Sequence, residues 1–79
     1  MTLNKAFAMR LSQLLSEKKI SKYRLEKETG ISHSALRFIF NEVNKDVRMS
    51  TIVKVVEVLG MTIPEFFDCE LFNLSNLDY

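Results

Sequence analysis

With 79 residues, 47% of them hydrophobic, the chain is long enough for one small domain and too apolar for a disordered segment. Its single cysteine, Cys69, and single histidine, His33, exclude an internal disulfide and a structural zinc site. The formal net charge is only +1, so the overall balance does not by itself mark a partner of nucleic acid.

No apolar run approaches the ~18–20 residues of a membrane span. The N-terminal stretch is amphipathic and charged throughout, unlike a signal peptide, so a reduced, cytoplasmic setting is expected. A core of this size is marginal, and self-association is a common remedy.

The first amphipathic stretch predicts a helix over residues 4–18. Phe7, Leu11 and Leu14 recur at helical spacing, and Ala8 and Leu15 widen the stripe. Asn4 is the expected cap. Lys18 and Lys19 suit the negative end of the helix dipole, and Ile20 returns to the core.

Ser21 opens a second helix over residues 22–29, with Tyr23, Leu25 and Glu28 inside it. A serine hydroxyl before a helical run accepts one of the unpaired N–H groups of the first turn. Gly30 breaks the run and suits the left-handed backbone that ends a helix. Ser32 caps a third helix over 33–41. Ala35, Leu36 and Ile39 form its buried side, which leaves His33, Ser34, Arg37 and Phe38 on the other. Two short helices across a glycine turn make a helix-turn-helix, whose second helix enters the DNA major groove.

Residues 42–48 are polar and aperiodic, a loop. Over 49–59, Met49, Ile52, Val53, Val56 and Leu59 repeat at three- and four-residue spacing. The β-branched valines make a strand the competing local choice, but Lys54, Glu57 and the stop at Gly60 favour a helix. Thr62 and Glu65 have capping-box spacing and Pro64 lies in the first turn of a fifth helix. The tail, 69–79, keeps Leu71, Phe72, Leu74 and Leu77, more apolar surface than a disordered tail carries. Residues 1–79 thus form a single domain, with a core over about 4–68.

Charge is segregated along the chain. Residues 18–48 carry Lys18, Lys19, Lys22, Arg24, Lys27, Arg37, Lys45 and Arg48 against Glu26, Glu28, Glu42 and Asp46, a net +4. Residues 49–79 carry Lys54 against Glu57, Glu65, Asp68, Glu70 and Asp78, a net −4. The basic segment coincides with the two-helix motif, as expected of a face turned to a polyanion. On charge alone, a solvated surface whose signs happen to segregate explains it equally well.

The order of a leading amphipathic helix, then SKYRLEKETGISHSALRFIFN, then MSTIVKVVEVLGMTIPEFF resembles the Cro/repressor, or Xre-like, family of helix-turn-helix domains. The likeness covers about residues 7–68. Gly30-Ile31-Ser32 matches the family's turn, and Leu59-Gly60-Met61-Thr62 with Glu65, Phe66 and Phe67 matches its closing helix. The resemblance implies a compact, all-α, five-helix lambda-repressor-like domain that binds double-stranded DNA, usually as a homodimer. It departs from the family at Glu26, where a small residue is usual. Glu26 must therefore reach solvent or pair with a base such as Arg37. Lys22 stands where Gln is frequent, Glu42 where Gly is frequent, and Phe38 where a polar base-reading residue is common.

His33, Ser34, Arg37 and Phe38 are accordingly the expected base contacts. Arg37 either takes guanine O6 and N7 or a phosphate, or pairs with Glu26. His33 meets a base or a phosphate, or is simply solvated. Phe38 either lies against a thymine methyl or belongs to the core. Lys22, Ser21, Ser32, Lys18, Lys19, Arg24, Lys45 and Arg48 are the phosphate candidates, which position a protein without reading sequence. Phe67, Leu71, Phe72, Leu74 and Leu77 are expected at a dimer contact.

No Gly-rich phosphate loop, Ser–His–acid set or metal-ligand cluster stands out, so neither an enzyme nor a cofactor is expected. The expected role is a transcriptional regulator, most simply a repressor. Two alternatives stay open. One is an antitoxin of the same fold that binds a toxin protein, and the other is an interaction module that no longer binds DNA.

Overall fold

The computed structural model describes residues 1–41 and 46–78. Five helices, α1 (Leu3–Lys18), α2 (Lys22–Thr29), α3 (His33–Phe40), α4 (Met49–Leu59) and α5 (Ile63–Phe67), precede two 3₁₀ turns, Glu70–Phe72 and Leu74–Asn76. Among the described residues there is no strand, only an isolated parallel bridge between Thr2 and Asp78. The chain is therefore all-α, as its patterning predicts.

The start of α1 differs from the expected one. Thr2, not Asn4, is the cap: its hydroxyl accepts the Lys5 N–H at 3.1 Å, and its carbonyl accepts the Ala6 N–H at 3.1 Å. Asn4 lies inside the helix and is buried. Both residue types cap well, and a tertiary tie decides between them. The bridge to Asp78, with the Asp78 N–H donating to the Met1 carbonyl at 2.7 Å, holds Thr2 in the extended backbone that a cap requires. At its other end α1 stops at Lys19, whose φ of 56° is left-handed without a glycine.

The two motif helices form where the sequence places them. Ser21 Oγ accepts the Arg24 N–H at 3.0 Å and Ser32 Oγ accepts the Ala35 N–H at 3.1 Å. Gly30 adopts φ 75° and donates its N–H to the Glu26 carbonyl at 2.9 Å, closing α2. Thr29 adds a brace, since its hydroxyl donates to the Leu25 carbonyl and accepts the Ile31 N–H.

The valine-rich segment is helical, but it is rotated relative to the simplest stripe. Ile52, Val55, Val56 and Leu59 are buried, whereas Met49 and Val53 are 62% and 43% exposed. So many apolar residues in one short run leave two possible faces. The face that meets α1, α2 and α5 prevails. In α5 the capping box is complete. The Thr62 N–H donates to Glu65 Oε1 at 2.9 Å and the Glu65 N–H donates to Thr62 Oγ1 at 3.2 Å. The Thr62 backbone N–H, and after it the Thr62 hydroxyl, hold the Glu65 carboxyl below its ordinary value of 4.5, and the Lys18 charge adds to them.

α1 packs against α3 and α4, and α2 against α4, around fully buried Leu11, Leu25, Val55 and Phe66. Each such side chain contributes about 1.5–3 kcal/mol. Phe66 stands 5.3 Å from Phe7 by ring centroids, and Phe67 and Phe72 meet edge to face at 4.7 Å. The expected dimer residues therefore divide. Phe67 and Phe72 lean on this core and stay half-buried, as do Leu71 and Leu77, while Leu74 is 69% exposed.

Candidate nucleic-acid interface

Helical geometry sorts the side chains of α3 into two sets. Leu36 and Ile39 are buried and Ala35 is half-buried, which anchors one side of α3 in the core. His33, Ser34, Arg37 and Phe38 all point to solvent from the opposite side. Phe38 is 47% exposed and so is not a core residue. Such an array is held rigidly by the buried face beneath it, the arrangement a reading head needs.

Beside it runs a cleft between α2 and α3, lined by Lys22, Tyr23, Glu26, His33, Leu36, Arg37, Phe40 and Asn41. The cleft brings Lys22, His33 and Arg37 together from the two helices. Lys22 is steadied there, because its ammonium lies 4.1 Å from the centroid of the Phe40 ring. Tyr23, 65% exposed, carries the Lys27 ammonium 5.1 Å over its own ring.

Glu26 does not pair with Arg37. Its Oε1 lies 2.7 Å from Nδ1 of His33, across the turn. The Glu26 side chain is only 18% exposed, against 75% for that of His33. Glu26 is thus tucked between the helices and contacts the first residue of α3. His33 is therefore exposed to solvent but tied through one ring nitrogen to Glu26. Arg37 is left exposed and unengaged by Glu26.

The phosphate candidates are distributed more widely than their sequence grouping suggests. Ser21 and Ser32 accept cap bonds, so each hydroxyl proton remains available to donate outward. Arg24 pairs with Glu28 at 3.3 Å along α2. Arg48 lines a second cleft on the other flank of α3, with Ile31, Ala35, Ile39, Asp46, Val47 and Thr51. Lys19 is exposed at the end of α1, and Lys18 lies within electrostatic reach of Glu65 in α5. Lys45 falls outside the described residues.

Three contacts among the described residues were not legible in the sequence, namely Glu26 with His33, Lys22 with Phe40, and the Arg10 guanidinium of α1 with the Phe66 and Glu65 carbonyls of α5. Each joins residues on different helices, so no local spacing announces it. Glu26 alone left a trace, as a charged residue where two helices touch. Among the described residues no three His, Cys, Asp or Glu side chains converge, and no helix is long and apolar enough to cross a membrane.

A family model described as a Cro/C1-type HTH DNA-binding domain matches residues 10–71, most of the chain. Among curated proteins and solved structures none matches significantly.

Proposed function

We propose that this chain, which belongs to the family of Cro/C1-type helix-turn-helix DNA-binding domains, is a sequence-specific transcriptional repressor that acts by occupancy and not by catalysis. The observation that carries this reading is the outward array of His33, Ser34, Arg37 and Phe38 on α3, with Lys22 beside it in the same cleft. Hydrogen-bonding and apolar groups on one rigid helix suit base edges, and a cation on the preceding helix suits the backbone. Arg48, Lys19 and the Ser21 and Ser32 hydroxyls extend the backbone contacts on either side.

The functional unit is a homodimer. Exposed Leu74, with half-buried Leu71 and Leu77 and the outer edges of Phe67 and Phe72, supplies its two-fold contact. Two recognition helices would then stand one DNA turn, ~34 Å, apart and require a near-palindromic operator.

Selection of bound sequences from a random duplex pool tests this directly. A two-fold symmetric consensus is the expected result. No enrichment, together with binding that is flat between low and physiological salt, excludes a DNA-binding role.

A further inference from the structure

The geometry assigns Glu26 as a positioning residue for base readout: by holding Nδ1 of His33, it fixes which group His33 turns to the DNA. This assignment rests on the DNA-binding role proposed above and concerns one base-pair position within it. Glu26 Oε1 lies 2.7 Å from Nδ1, on a side chain 18% exposed that α2 and α3 enclose. The imidazole itself is on the surface, 75% exposed. One ring nitrogen is therefore tied inward and the other, Nε2, is left to face the groove.

An ionised carboxylate only accepts hydrogen bonds, so the proton on a neutral His33 sits on Nδ1. The outward Nε2 then carries a lone pair and accepts. In the major groove the donors are the exocyclic amines, N6 of adenine and N4 of cytosine. Guanine presents only acceptors at N7 and O6, and thymine presents O4 and a methyl. A neutral His33 held this way thus favours adenine or cytosine at the base it faces and disfavours guanine. Arg37, the other long polar side chain of the array, has the opposite preference because it only donates. The two residues then read complementary edges from one helix.

Replacing Glu26 with Gln separates holding the ring from choosing its tautomer. A glutamine amide can donate to Nδ1 through its nitrogen or accept from it through its oxygen, so it still holds the ring but no longer forces the proton onto Nδ1. The variant Glu26→Ala leaves the ring unheld.

Because His33 is the only histidine, its two ring nitrogens are read without ambiguity by ¹⁵N NMR of the free chain in alkaline buffer. The Nδ1–H form should dominate in the wild type and lose that dominance in Glu26→Gln and Glu26→Ala. A wild-type ring that is mainly Nε2–H overturns the assignment with no DNA present. Duplex selection in the same buffer supplies the second readout. The wild type should prefer adenine or cytosine at one position in each half-site. Glu26→Gln should weaken that preference and admit guanine or thymine, Glu26→Ala should flatten it, and His33→Ala should flatten the same position.

A merely structural Glu26 would lower the melting temperature and weaken all duplexes alike, with base preferences unchanged, and that outcome also overturns the assignment. Should the Glu26 variants fail to fold, wild type against His33→Ala still decides, since a preference for guanine at that position is incompatible with an accepting Nε2. A wild-type chain that binds no duplex defeats the regulatory role, and base readout by His33 with it. A chain that selects an operator but shows no preference that depends on Glu26 defeats this assignment alone.

Discussion

The Arg10 guanidinium reaches from α1 to the end of α5, donating through Nε to the Phe66 carbonyl at 2.7 Å and through Nη2 to the Glu65 carbonyl at 3.0 Å. The carbonyls at a helix end lack partners within the helix, and a cation there also meets the negative end of the dipole. α5 is too short to be stable alone, so this tie matters more than it would on a longer helix.

Replacing Arg10 with Ala should therefore destabilise the fold by about 1–2 kcal/mol, the range for charge-assisted bonds that are partly exposed. Arg10→Lys should recover part of this, because an ammonium cannot span both carbonyls with the same planar fork. Urea unfolding midpoints at neutral pH check both variants. A midpoint within error of wild type for Arg10→Ala would mean that the tie contributes nothing.

Arg37 and Lys22 should separate specificity from affinity. Arg37→Ala should cost about 1–3 kcal/mol on the selected operator and much less on random duplex. Lys22→Ala should weaken both alike and lower the salt slope by about one. Titrations on both duplexes at several salt concentrations give the comparison. The roles are reversed if Lys22→Ala changes sequence preference while Arg37→Ala does not.

Phe38 is exposed, so Phe38→Ala should leave the melting temperature within about 2–4 °C of wild type, the small change expected of a surface substitution. It should weaken only operators with thymine at the facing position. Replacing that thymine with uracil, which lacks the methyl group, should reproduce the loss in the wild type and add nothing in Phe38→Ala.

Glu65 should give the chain an acid-sensitive helix start. Its carboxyl titrates below the ordinary 4.5 because the Thr62 N–H and hydroxyl favour the charged form. A lowered folded value means stability that is present above the unfolded value and lost as pH falls through the folded one. Wild type should therefore be more stable than Glu65→Ala at neutral pH, and the gap should narrow as pH falls below the unfolded value of 4.5 and through the lower folded one. Thermal melts of both at neutral and acid pH check the sign. A gap that widens in acid would contradict it.

Where local chemistry decides the structure, the sequence was sufficient. Ser21, Ser32 and Thr62 cap, Gly30 and Gly60 terminate, and α2 and α4 begin and end at the expected residues. Where two local solutions compete, tertiary contact chose. Thr2 outcompeted Asn4 through its bridge to Asp78, and Val55 outcompeted Val53 through the packing of α4. At the candidate site, the outward set on α3 was legible from helical period. Its wiring was not, because His33 and Glu26 meet only once α2 and α3 have docked.

Gly30 has nothing within 4 Å of the position a Cβ would occupy, and its φ is 75°. The turn between α2 and α3 thus screens its occupant by torsion and not by bulk. Alanine, the smallest addition, meets the left-handed penalty of roughly 1–2 kcal/mol, while larger asparagine adopts that backbone more readily. A library randomised at position 30 should therefore return Asn ahead of Ala, an order that inverts size. The same openness makes position 30 a place where a probe on a left-handed-tolerant residue can sit close to α3 without disturbing its packing.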